Sequence, residues 1–119
     1  MPAKCCSCII VLMESEIRKT LAGLKRSLEK LLAGYEKEIL LYGSRARGDS
    51  AADSDIDVAV IVAGLTPSLK DQILETVARV ELEHLRPVSV LVLAKDQFDQ
   101  LYRRERRIAL DIRREGVAL

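Results

Sequence analysis

Apolar residues recur at helical spacing from Ile17 through Leu21, Leu24, Leu28, Leu31 and Leu32, with lysines, arginines and glutamates between them. That 3.6-residue period predicts one amphipathic helix, starting about Ser15 and ending near Gly34. The pattern then changes to Glu38-Ile39-Leu40-Leu41-Tyr42, which reads as a short buried strand stopped by Gly43. Residues 44–50 are expected to form a helical turn or loop, and Asp55 to Val62 a second strand. Thr66-Pro67-Ser68 opens a helix, because the Thr66 hydroxyl can cap the first turn and proline is preorganised for the first helical position. Leu69, Ile73, Val77 and Val80 share a face of that helix, which should reach about His84. After Pro87 the nearly continuous run Val88–Leu93 predicts a third strand buried on both faces. A polar segment from Ala94 to Gln97 leads to a final helix with Leu101, Ile108 and Ile112 on one side, finished by Gly116. This order of elements predicts a mixed α/β (α+β) fold, a small mixed β-sheet with helices packed mainly on one face.

Length confines the pattern to one domain. A chain of 119 residues can build a hydrophobic core but not a separate substrate domain. Residues 14–119 are expected to form the domain and residues 1–13 a peripheral extension. Hydrophobic residues make up 49% and charged residues 31%, and 19 Lys+Arg nearly cancel 18 Asp+Glu, so bulk charge gives no argument for binding nucleic acid. Arg103, Arg104, Arg106, Arg107, Arg113 and Arg114 alternate with Glu105, Asp111 and Glu115, the pattern of a solvated helix face. The run Cys8–Met13 is too short for a transmembrane helix and lacks a signal-cleavage region, which makes a cytoplasmic protein without a membrane partner the expectation. Cys5, Cys6 and Cys8 crowd the first eight residues and cannot staple distant parts of a fold, and a zinc site would need a fourth ligand. An apolar N-terminal segment and first helix also raise the prospect of a homodimer.

The candidate chemistry lies where the first two strands meet. Leu41-Tyr42-Gly43-Ser44-Arg45-Ala46-Arg47-Gly48 leaves one apolar strand, and Asp55-Ile56-Asp57 opens the next. Alternation along the second strand puts Asp55, Asp57, Ala59 and Ile61 on one face and Ile56, Val58, Val60 and Val62 on the other. Two carboxylates on an otherwise apolar face repel each other and resist desolvation unless a divalent cation sits between them. Oxygen ligands suit magnesium or manganese. Gly43 lets a phosphate approach the backbone, Ser44 and the following N–H groups can donate to phosphate oxygens, and Arg45 and Arg47 add cationic donors. The grip differs from a P-loop, whose Lys-Ser/Thr ending is missing. Arg47-Gly48-Asp49 spells an adhesion tripeptide, a coincidence in a chain of this character.

Gly43-Ser44, ten residues, then Asp55-x-Asp57 closely resembles the signature of the minimal nucleotidyltransferases, small members of the DNA polymerase beta-like nucleotidyltransferase superfamily. The strong likeness covers residues 39–62, and the element order with the closing Arg-Glu-Gly-Val-Ala-Leu extends a weaker one over residues 14–119. The resemblance implies a nucleotidyltransferase fold, Mg2+ or Mn2+, and ATP or another NTP as substrate. It further implies nucleotide binding by Gly43, Ser44, Arg45 and Arg47, with Asp55 and Asp57 as catalytic metal ligands. Many prokaryotic members are encoded with a HEPN-domain protein as the antitoxin of a toxin–antitoxin pair, and some transfer AMP to that partner. The sequence departs from the family at one place, since Ser89 stands where a third carboxylate is expected on the strand Val88–Leu93. Asp96, Glu81 and Glu83 are the possible substitutes. The departure opens an alternative, a catalytically weak nucleotide-binding module that neutralises its partner by stoichiometric binding.

Overall fold

The computed structural model describes residues 15–43 and 56–119. The expectations for the N-terminal extension, its cysteines, Ser44, Arg45, Arg47 and Asp55 lie outside the described residues. Helix α1 (Ser15–Leu31) follows the predicted period, and Ile17, Leu21, Leu24, Leu28 and Leu32 are all buried. The apolar face of α1 is therefore buried within the chain.

Strands β1 (Lys37–Tyr42) and β2 (Ile56–Val62) pair antiparallel. Helix α2 (Pro67–His84) starts as the Thr-Pro signal requires: the Leu69 N–H donates to the Thr66 hydroxyl at 3.1 Å and Pro67 takes the first position. It ends at Leu85, whose left-handed backbone (φ 51°) turns the chain so that the Arg86 N–H, like that of Leu85, donates to the Glu81 carbonyl. The helix carries the chain to β3 (Val88–Ala94), which lies parallel to β2. The final region differs from the single helix expected. Helix α3 (Lys95–Arg103) begins directly after β3, and α4 (Arg107–Glu115) follows a break at Glu105, whose φ of 54° turns the chain. The Glu105 and Arg106 N–H groups donate to the Tyr102 and Leu101 carbonyls, so the break closes on its own hydrogen bonds. With the helix divided, Ala109 and Ile112 face inward, while Ile108 is exposed.

A two-residue strand, β4 (Val117–Ala118), then pairs antiparallel with β1 and completes a mixed sheet in the order β3-β2-β1-β4. Gly116 makes this return possible, because a Cβ there would collide with the Ile112 carbonyl.

The larger core gathers α1 and α2 over Ile56, Val58, Val60 and Val62, in keeping with helices mainly on one face. A smaller core on the opposite face joins Phe98, Ala109 and Ile112 to Leu40, Ala59 and Ile61, so α3 and α4 cover part of that side too. The strand buried on both faces is β2, whereas β3 lies at the sheet edge with only Val88 and Val92 buried. Apolar composition marks both strands alike, and only their neighbours decide which becomes central. No helix among the described residues is long and apolar enough to cross a membrane.

Candidate active site

Three strand ends converge at one end of the sheet. The last residue of β1 lies opposite the second residue of β2, and that in turn lies beside the second residue of β3, giving the row Tyr42, Asp57, Ser89. Directly paired residues hold their Cβ atoms about 5 Å apart, so the Asp57 carboxylate stands between a phenol and a serine hydroxyl. The next row inward on this face is Leu40, Ala59, Leu91. Polar groups occupy the mouth and apolar ones the floor. Asp57 shares its face with Ala59 and Ile61, as the alternation requires.

Gly43 closes the row. Its φ of 79° is open to glycine and strained for other residues, and a Cβ built on it would lie 2.6 Å from Asp57 Oδ2. The Asp57 carboxylate thus occupies the space left by the missing side chain. Gly43 and Asp57, fourteen positions apart in the sequence, meet here. Two elements of the candidate motif are thereby brought together, and Gly43 is set where the backbone can be closely approached.

Tyr42 is a site residue that sequence reasoning missed. It is half-buried, and burial first, then the Asp57 charge, raise its phenol above the ordinary value. It therefore stays protonated at neutral pH, able to donate a hydrogen bond. The available signal was positional: antiparallel strands joined across the Gly43–Asp55 segment put the residue before Gly43 against an aspartate. Ser89 is exposed, beside Asp57 in the parallel register. None of the acidic residues considered as substitutes comes near this row. Glu81 and Glu83 belong to α2, which packs on the opposite face, and Asp96 lies in the first turn of α3, beyond the far end of β3. From Ser89 to Ala94 the strand alone spans roughly 16 Å.

Asp57 is a hard oxygen donor of the kind magnesium and manganese take. Its two neighbours in the row, Tyr42 and Ser89, carry oxygen groups and no positive charge. Among the described residues, no three acidic, histidine or cysteine side chains converge on a point. Several of the C-terminal arginines are engaged locally: Arg113 lies 3.0 Å from Glu38 and 4.7 Å over the Phe98 ring, and Arg107 and Arg114 approach Asp111 at 3.8 and 3.9 Å.

Over 82 residues the chain is 29% identical to a putative protein adenylyltransferase of Methanocaldococcus jannaschii, covering 67% of this chain and 82% of that protein. The crystal structure of a putative nucleotidyltransferase from Sulfolobus solfataricus aligns over 89% of this chain and 86% of its own, at 23% identity and a TM-score of 0.48. Residues 21–115, which include β1, β2 and the row Tyr42, Asp57, Ser89, match the family described as the nucleotidyltransferase domain, and the chain belongs to that family.

Proposed function

We propose that the chain transfers a nucleoside monophosphate, AMP from ATP in the simplest case, to a hydroxyl group of a partner protein in a magnesium- or manganese-dependent reaction. The observation that carries this reading is the fit of the Asp57 carboxylate over Gly43, which joins the acidic half of the motif to its phosphate-gripping half. In this reading Asp55 and Asp57 hold the cation. Gly43 and Ser44 hold the β- and γ-phosphates through backbone N–H groups and a hydroxyl, and Arg45 or Arg47 neutralises the charge that develops. The cation, when bound, neutralises the triphosphate and makes the α-phosphorus more electrophilic. The acceptor oxygen attacks that phosphorus, the bond to the oxygen bridging α and β breaks, and pyrophosphate leaves.

A partner protein as acceptor is favoured by the likeness to a protein adenylyltransferase. A HEPN-domain toxin, with this chain as its antitoxin, is the partner suggested by the family that the motif resembles. Incubation with labelled ATP, magnesium and the protein encoded beside this chain tests the reading. Label is expected on the partner, and absence of label with nucleotide binding intact would refute transfer.

A second reading is favoured by Ser89. Neither neighbour of Asp57 in its row can act as a base at neutral pH: a serine hydroxyl is not a carboxylate, and Tyr42 holds its proton. On this reading the chain binds nucleotide, turns over slowly and neutralises its partner by occupying it. Partner inhibition by an Asp55→Ala/Asp57→Ala variant separates the two. Loss of inhibition by the folded variant supports catalysis, and retained inhibition supports stoichiometric binding.

A further inference from the structure

The two helices over the closed face carry opposite charges on their outer sides. α1 presents Arg18, Lys19, Lys25, Arg26 and Lys30 against one described acid, Glu29, whereas α2 presents Asp71, Glu75, Glu81 and Glu83 against Lys70 and Arg79. None of these groups holds an ion pair among the described residues. Between its acids α2 also carries a second apolar line, Leu74, Ala78, Leu82 and, at its end, Leu85, on the side away from the buried Leu69, Ile73, Val77 and Val80. Leu74 is 40% exposed, Leu82 76% and Leu85 86%, so the line is left uncovered. The helices run antiparallel at a defined level. A Cβ on Gly23 would lie 3.1 Å from His84 Nε2, and farther along α1 Lys30 and Leu31 line one groove with Glu75 and Thr76.

We propose that this outer face packs on the same face of a second copy of the chain, about a two-fold axis parallel to the helices and midway between them. Each basic α1 then lies on the acidic α2 of the other copy, and the four helices form a bundle. An axis in this direction leaves heights along the helices unchanged, so the level found within one chain fixes the register between two. Counting from Gly23 and His84 at about 1.5 Å per residue along both helices sets Ala22 over Leu85 of the other copy. Lys25 and Arg26 come beside Glu81 and Leu82, Glu29 beside Arg79, and Lys30 within a turn of Glu75. Each of these charges meets its opposite, including the Glu29–Arg79 pair, in which the signs of the two helices are exchanged.

The charges also select the occupant. An axis across the helices would lay α1 on α1, basic face against basic face. Residues 1–14 contain a single acid, Glu14, and cannot answer five cations. Residues 44–55 leave and rejoin the sheet at Gly43 and Ile56, beneath the helices. A second copy supplies acids for α1, bases for α2 and apolar cover for Leu82 and Leu85 together. Two helices side by side over about 25 Å offer roughly 500 Å² per copy, near 1,000 Å² in all, the lower end of specific interfaces. Because α1 and α2 lie across the sheet from Asp57, the two candidate sites open on opposite outer sides of the dimer, each accessible to a macromolecular acceptor. The interface stands or falls independently of nucleotidyl transfer.

The test uses the full chain with Cys5, Cys6 and Cys8 replaced by serine. Sedimentation velocity at roughly 100 µM should show a dimer. Lys25→Glu/Lys30→Glu makes α1 acidic, and Glu75→Lys/Glu81→Lys makes α2 basic. Each variant alone should self-associate about tenfold more weakly, and the two mixed should form a heterodimer. Chains carrying Ala22→Cys, mixed with chains carrying Leu85→Cys, should oxidise to a covalent heterodimer faster than with chains carrying Tyr102→Cys, an exposed control on α3 across the sheet. A monomer at that concentration, undiminished association of the two charge variants, or linkage no faster than in the control overturns the proposal.

Discussion

The two faces of the sheet are closed to different extents. On one, α1 and α2 lie over Ile56, Val58, Val60 and Val62, all fully buried. On the other, α3 and α4 cover Ala59 and Ile61, while Asp57 in the same line of side chains is only half-buried. The strand is one and the same, β2. Its even-numbered side anchors the fold, and its odd-numbered side carries a carboxylate at the end where the cover gives out. A charge can be tolerated in the central strand because it sits in the last row, between Tyr42 and Ser89, with an apolar row behind it. Stability and chemistry are thus separated by a period of two residues.

Substitutions on each face should break that separation or sharpen it. The largest effect on stability is expected at the closed face. Leu28→Ala removes a fully buried side chain between α1 and the sheet and should cost about 2–5 kcal/mol by urea unfolding, with nucleotide affinity of the folded protein unchanged. Gly43→Ala crosses the divide. The left-handed backbone and the contact with Asp57 should together cost about 1–3 kcal/mol, and nucleotide affinity should fall as well because the carboxylate must move. An affinity equal to that of the native chain would deny the coupling of Gly43 to Asp57. Thr66→Ala, at the N-cap of α2, should cost about 1 kcal/mol and leave nucleotide binding intact.

Much of the closed face was legible in the sequence, and less of the open one. Ile17, Leu21, Leu24 and Leu28 recur over several turns, and Thr66-Pro67 is a local signal whose physics lies within four residues, so both were read correctly. The break at Glu105 rests on one left-handed residue in a charged run, which no periodicity marks. β4 is two residues long, too short to show alternation, and exists because β1 offers it an edge. Of the site, the motif marked Gly43 and Asp57 separately, while the contact between them and the alignment of Ser89 with the aspartate emerge only in the strand register. Tyr42 required knowing which residues face each other across two strands, a property of the register rather than of either segment.

The smallest effect expected is a titration. Burial is the first cause of the raised Tyr42 ionisation and the Asp57 charge the second. Asp57→Asn should therefore lower the pH at which Tyr42 ionises, though not to the ordinary value, read by ultraviolet difference against a Tyr42→Phe reference. A raised value means that the folded state holds this proton more firmly than the unfolded state. The stabilisation is complete below the unfolded phenol's pKa of about 10 and is lost as pH rises from there through the folded value. No shift in Asp57→Asn would mean that the carboxylate does not face the phenol.

The central claim, that the open face holds a metal–nucleotide site built on Asp57, is tested most directly by calorimetric titration of the chain with a non-hydrolysable ATP analogue, with and without magnesium. The expected result is binding that requires the divalent cation and is abolished in Asp57→Asn while the fold is retained. Binding of equal strength without the cation, or in the folded Asp57→Asn variant, would contradict it.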